Sequence, residues 1–250
     1  MPEASGAPSG APAAPPAFET EAHGSGGSAN ALRAAVLGAN DGLVSVLSLV
    51  MGVSGAAFNS NDVLVTGLAG LLAGACSMAM GEWVSVTSSR ELYSRQLIEE
   101  RDEIRDDPEK ERTELIRLYE GRGVRHETAV EVADAIMEDP AQALDVMARE
   151  ELGIDPDDLG GSPYVAAISS FALFVVGAVP PVLPFAILEG DAAVLTSLAL
   201  SSLMLLLIGG LITRFTHRSP VFSAVRQLVI GLSAAGVTYA IGLLIGVSVV

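Results

Sequence analysis

Asp41 is a carboxylate inside an apolar block. It sits about nine residues into a run from about Leu32 to Phe58, within Gly38-Ala39-Asn40-Asp41-Gly42. A carboxylate in hydrocarbon is expensive, so an acid at this place is expected to face a polar path through the membrane. The plain alternative is an interfacial acid hydrogen-bonded to a helix end. A second apolar block, from about Val63 to Ser88, carries Ser77-Met78-Ala79-Met80-Gly81-Glu82-Trp83. If the first block enters the bilayer and the second returns, Asp41, Met78 and Glu82 are roughly seven, eight and four residues from the same membrane face. At about 1.5 Å per residue these depths agree to roughly one helical turn. A carboxylate paired with a thioether suits a borderline transition metal better than Na⁺ or Mg²⁺. Taken alone, Met78 reads as packing. Met80 lies about 200° around the helix from Met78, so the two do not line one path. Glu82 is one turn beyond Met78 on the same face, as a ligand, a proton carrier or a snorkelling interfacial acid.

A second set of acids follows. Glu100 and Glu103 are i,i+3 before Pro108, and Glu111 and Glu114 are i,i+3 after it. Each pair places two carboxylates on one helical face, where they repel unless a cation neutralises them. A turn at Asp106-Asp107-Pro108 would fold the two helices together and converge all four. Met147 and Glu151, i,i+4 on a later helix, would add a soft sulfur and a fifth carboxylate. Several carboxylate oxygens at one place suit divalent cations. Glu-rich helices are also common surface structures, and Arg101, Arg105 and Arg112 offer local ion pairs. His126 reads as a surface residue.

These residues need elements to hold them. Half of the 250 residues are hydrophobic and only 18% are charged, and the apolar residues come in blocks. A spanning helix needs about 20 apolar residues, and five blocks meet that length. Beyond the first two they are about Tyr164–Leu188, Ala192–Thr213 and Phe222–Val249. Pro180, Pro181 and Pro184 are expected to kink the third. The fold class is therefore an all-α membrane protein, with five transmembrane helices and a cytosolic helical insert between the second and third spans. The chain divides into a disordered tail (1–30) with His23 in it and no signal-peptide pattern, helices 1–2 (31–89), an acidic domain (90–161) and helices 3–5 (162–250). Pro108, Gly121-Arg122-Gly123, Pro140 and Pro156 punctuate the acidic domain into three or four short helices. Recurrent glycines, such as Gly38 and Gly42, Gly70 and Gly74, and Gly242 and Gly246, allow close helix packing within a protomer or between two.

Charge sets the orientation. With five spans, all 14 Lys and Arg fall on one side. The positive-inside rule then places the N-terminus and the acidic domain in the cytosol and the C-terminus opposite. The net charge of −16, with 21 of the 30 Asp and Glu between Glu99 and Asp158, excludes nucleic acid as a partner. The single cysteine, Cys76, excludes an intrachain disulfide and a thiolate cluster, and reads as a packing residue. No HExxH, Walker, GxSxG or dinucleotide motif gives enzymatic chemistry a seat.

Taken together, Gly38-Ala39-Asn40-Asp41-Gly42-Leu43, Ser77-Met78 with Gly81-Glu82, and the Glu100/Glu103, Glu111/Glu114 and Met147/Glu151 series resemble the vacuolar iron transporter family over about residues 30–250. The resemblance implies a homodimer of five-span protomers in a lipid bilayer. It implies Fe²⁺ transport out of the cytosol in exchange for protons, with Mn²⁺, Co²⁺ and Zn²⁺ as candidate substrates and no permanent cofactor. The family's pore aspartate and methionine correspond to Asp41 and Met78. Its metal-domain ligands correspond to Glu100, Glu103, Glu111, Glu114, Met147 and Glu151. Glu82 stands outside that correspondence. Such a protein would sit in the inner membrane of a bacterium or the vacuolar membrane of a eukaryote. A passive divalent-cation channel and a membrane-anchored metal sensor are the competing readings.

Overall fold

In the computed structural model, the described residues are 26–56, 59–216 and 219–249, with the side chains of 26–35, 214–216 and 247–249 left aside. The expectations for His23, for residues 1–25 and for the Arg214 and Arg218 side chains lie outside them. Every element is helical: α1 (Gly26–Gly55), α2 (Ser60–Asp106), α3 (Pro108–Gly121), α4 (His126–Met137), α5 (Pro140–Glu150), α6 (Pro163–Val182) running into a 3₁₀ turn (Leu183–Ala186), α7 (Gly190–Thr216) and α8 (Pro220–Val249).

Five of these, α1, α2, α6, α7 and α8, are long and apolar enough to cross a membrane. Their outer faces expose large apolar side chains such as Leu72, Ile168, Leu195 and Leu244, a surface that suits lipid rather than water. α1 is the central helix. Half of its apolar window is buried within the protein, against 17–28% for the other four. It packs on α6, α8, α2 and α7, and its Leu43, Val46, Leu47 and Val50 form the core with Leu71, Ala75, Phe174 and Ala178. Glycine lets the backbones meet. A Cβ at Gly42 would collide with the Phe174 carbonyl, and one at Gly177 with the Ala39 carbonyl. Gly242 stands against Gly52 in the same way, joining α8 to α1. These close approaches join helices of the same chain.

The proline expectation has a definite local outcome. Pro180 and Pro181 remain inside α6, and the helix tightens to the 3₁₀ turn directly after them. Proline removes backbone donors there. The buried Ser197 hydroxyl of α7 donates to the Pro181 carbonyl at 2.7 Å and so supplies a polar partner at the disturbed turn.

α2 continues through the expected division at residues 89 and 90. It runs unbroken for 47 residues, or about 70 Å, more than twice a hydrocarbon core of about 30 Å. Between Trp83 and Asp107 there is no Gly or Pro to stop it. Its charged half therefore projects beyond the apolar layer and carries Glu100 with it. Of three short helices, α3 and α5 pack against this projection and α4 packs on those two, around a second small core of Ile104, Leu115, Ile116, Ala129, Ala133, Ile136, Ala143 and Met147. Their ends follow local chemistry. Asp107 accepts from the Lys110 amide as the N-cap of α3, with Pro108 in the first turn. Asp139 and Pro140 do the same for α5. Gly123 at φ +89° carries the chain out of α3.

Candidate functional site

The charged projection of α2 folds against α3 through the turn at Asp107. That hairpin, closed by the end of α5, gathers carboxylates. Glu100, Glu111 and Glu151 each place an oxygen within 4.8 Å of the others. This is the one such group of His, Cys, Asp or Glu among the described residues. Glu100 is 7% exposed and Glu111 1%, while Glu151 lies at the rim. One Glu100 oxygen is buried with no hydrogen-bond partner. Burial, followed by the charges of Glu151 and Glu111, pushes the Glu100 carboxyl up to about 7. Glu151 is raised by burial and by Glu114 and Glu111. Glu111 is raised by burial against the opposing pull of Lys110. Three acids whose charged forms are all disfavoured leave an unmet demand for positive charge.

Glu103 and Glu114 reach the cluster by another route. The Lys110 ammonium lies 2.8 Å from Glu103, 3.1 Å from Glu111 and 3.7 Å from Glu114. Its hydrogen bond and charge hold the Glu103 carboxyl below its ordinary range. The four glutamates thus converge, but a lysine stands among three of them. Met147 is fully buried, a member of the small apolar core, one turn before Glu151. Packing accounts for its burial. Among the arginines, Arg105 pairs with Asp102 and Asp106, and Arg112 with Asp134. His126 is exposed and lies 2.7 Å from Glu120.

The membrane residues divide similarly. Asp41 and Met78 line one open cavity of about 470 Å³, with Ser45, Gly70, Gly74, Ser77 and Phe174. Asp41 accepts a hydrogen bond from Ser45 at 3.1 Å and is exposed on the single chain. The Met78 methyl approaches Gly38, where an added Cβ would stand 3.3 Å from it. Glu82 is also exposed, and it does not line that cavity. Met80 points away, 63% exposed, as the helical angle requires. Cys76 is exposed on α2 rather than packed inside. Met78 and Glu100 stand on the same continuous helix, 22 residues or about 33 Å apart.

Two polar contacts were not foreseen. Asn40, next to Asp41, accepts a hydrogen bond from the buried Gln227 amide of α8. A lone Gln in an apolar block was the available signal. The other is Lys110, hidden in the sequence among neighbouring charges.

Residues 32–243 match the model of the VIT family. The chain is 40% identical over 232 residues to a vacuolar iron transporter of Acanthamoeba castellanii, covering 92% of this chain and 84% of that protein. It is 32% identical to vacuolar iron transporter 1 of Oryza sativa subsp. japonica, covering 85% and 84%. Against vacuolar iron transporter 1 of Arabidopsis thaliana the identity is 31%, covering 88% and 87%. With a family match over most of its length and relatives that align nearly end to end, the chain belongs to the VIT family.

Proposed function

We propose that this protein is a transporter that carries Fe²⁺ across a membrane, out of the cytosol, with proton movement in the opposite sense. The observation that carries this reading is the shared cavity of Asp41 and Met78 within the apolar layer, joined by one continuous helix to the carboxylate cluster. A carboxylate and a thioether at that depth suit a borderline metal, and Mn²⁺, Co²⁺ and Zn²⁺ share enough of that chemistry to be further substrates. Names borne by the relatives support iron as the principal cargo and a vacuolar-type membrane as the site.

The residues divide the work. Glu100, Glu111 and Glu151, joined by Glu103 and Glu114, collect the ion on the cytosolic side, with Met147 as a soft ligand beside Glu151. Asp41 and Met78 bind it one ion at a time within the membrane. Glu82 supplies an acid near the entrance. A carboxylate must lose its proton to bind metal, so metal and proton compete for the same oxygens. That competition is the physical basis for exchange. Asp41 is exposed on the single chain at a depth where lipid contact is costly. A second copy facing it would close the path, which supports a homodimer with the cavity at its interface. Positive charge restricted to one side supports a cytosolic acidic segment.

The test is Fe²⁺ uptake by proteoliposomes with and without an imposed pH gradient. Uptake stimulated by internal acid, with matching proton release, supports exchange. Uptake indifferent to the gradient makes the protein a channel. Binding to the acidic segment with no uptake of any divalent metal makes it a membrane-anchored sensor.

A further inference from the structure

Lys110 is the only lysine in the chain, since the other 13 of the 14 Lys and Arg are arginine. Its ammonium stands 2.8 Å from Glu103, 3.1 Å from Glu111 and 3.7 Å from Glu114. Three of the five glutamates proposed to collect metal therefore already share a cation. The ammonium makes no close ion pair with Glu100 or Glu151, although its charge reaches Glu151, and Glu100 keeps a buried oxygen without a hydrogen bond. Glu111, 1% exposed, belongs to both halves: it meets Lys110 and also the Glu100–Glu151 group.

We infer that Lys110 is a tethered counter-ion that occupies the acidic site when metal is absent and must swing out before the site fills. The inference rests on the metal-collecting role proposed above. Several like charges packed around buried carboxylates would otherwise drive the α2–α3 hairpin apart, and an internal cation holds it closed without metal. The side chain is suited to leaving. It is 49% exposed at the site's edge, on a flexible stem, and an ammonium is strongly hydrated once released. A guanidinium would hold two carboxylates in a fork and leave less readily. Filling then has an order. The first ion enters at Glu100, Glu111 and Glu151, where Lys110 makes an ion pair with Glu111 alone. Coordination by Glu103 and Glu114 requires Lys110 to withdraw. The lysine thereby sets a metal concentration below which the site stays closed on itself.

The experiment is titration of the full-length protein in detergent with Co²⁺, read by calorimetry, for wild type, Lys110→Met, Lys110→Arg and Glu111→Gln/Glu151→Gln. Ion pairs of this exposure are individually weak, so loss of the three together is expected to tighten Co²⁺ binding by about tenfold in Lys110→Met. Lys110→Arg keeps the charge and is expected to bind as weakly as wild type or more so. It also reports on any general damage from altering position 110. Lys110→Met binding no tighter than wild type, while Glu111→Gln/Glu151→Gln loses binding, overturns the counter-ion role and leaves the metal site standing. Wild type and Glu111→Gln/Glu151→Gln binding Co²⁺ alike overturns the metal site and the counter-ion with it.

Discussion

Replacing Glu100 by Gln should stabilise the empty protein at pH 8 while weakening its hold on a divalent metal. Glu100 is 7% exposed, one of its oxygens lacks a partner, and its pKa stands at about 7 against 4.5 for a free side chain. Between those two values the folded state keeps a proton that the unfolded state has released. Stability therefore falls as pH rises through this window, and the loss is complete above about pH 7. It amounts to about 3 kcal/mol at pH 8 and about 1 kcal/mol at pH 5.5. A buried Gln amide without full partners costs about 1 kcal/mol of its own. Glu100→Gln should then be nearly neutral at pH 5.5 and about 2 kcal/mol more stable than wild type at pH 8. Thermal unfolding in detergent at both pH values, with and without Co²⁺, reads this directly. A ligand at about 100 times its Kd stabilises by about 2.7 kcal/mol, and the variant should gain much less than wild type. Equal destabilisation of Glu100→Gln at both pH values would refute the reasoning, because the carboxylate would then be a packing or hydrogen-bonding group and not a source of repulsion.

Other outcomes follow from single contacts. Met78→Leu keeps the side-chain volume against Gly38, so it should cost less than about 1.5 kcal/mol of stability while lowering Fe²⁺ uptake severalfold in proteoliposomes. Ser197→Ala leaves the Pro181 carbonyl without its hydroxyl donor and should destabilise by about 1–2 kcal/mol in detergent unfolding. Gly177→Leu drives a side chain into the Ala39 carbonyl and should cost about 3 kcal/mol or more, seen as loss of monodisperse protein in size-exclusion chromatography.

The five spans were legible because each apolar block is long enough to cross a bilayer and is bounded by polar turns such as Asn59-Ser60-Asn61-Asp62. The continuity of α2 was not, because the change from apolar to charged residues near Arg90 resembles a boundary. The backbone has no reason to break there, and the lack of Gly and Pro up to Pro108 was the sign. Counting residues from the membrane face predicted that Asp41 and Met78 lie at one depth, and they share a cavity. The same count grouped Glu82 with them, yet Glu82 does not line that cavity, since it shares the face of Met78 but lies one turn, about 6 Å, further along the helix. The convergence of Glu100, Glu103, Glu111 and Glu114 followed from spacing and the Asp107-Pro108 turn. The place of Lys110 among them did not, because a lysine in a charged helix looks the same whether it faces water or a ring of carboxylates. Asn40 and Gln227 are 187 residues apart, and only the packing of α8 on α1 brings them together.

Passage of metal through the cavity shared by Asp41 and Met78 is the proposal on which the transport reading depends. Its most direct test is Fe²⁺ uptake into proteoliposomes by wild type and Asp41→Ala, reconstituted at equal density and with Co²⁺ binding to the acidic segment intact in both. Uptake by wild type and none above empty liposomes for Asp41→Ala is the expected result. Equal uptake by the two proteins would contradict it, and the path would have to lie elsewhere in the molecule.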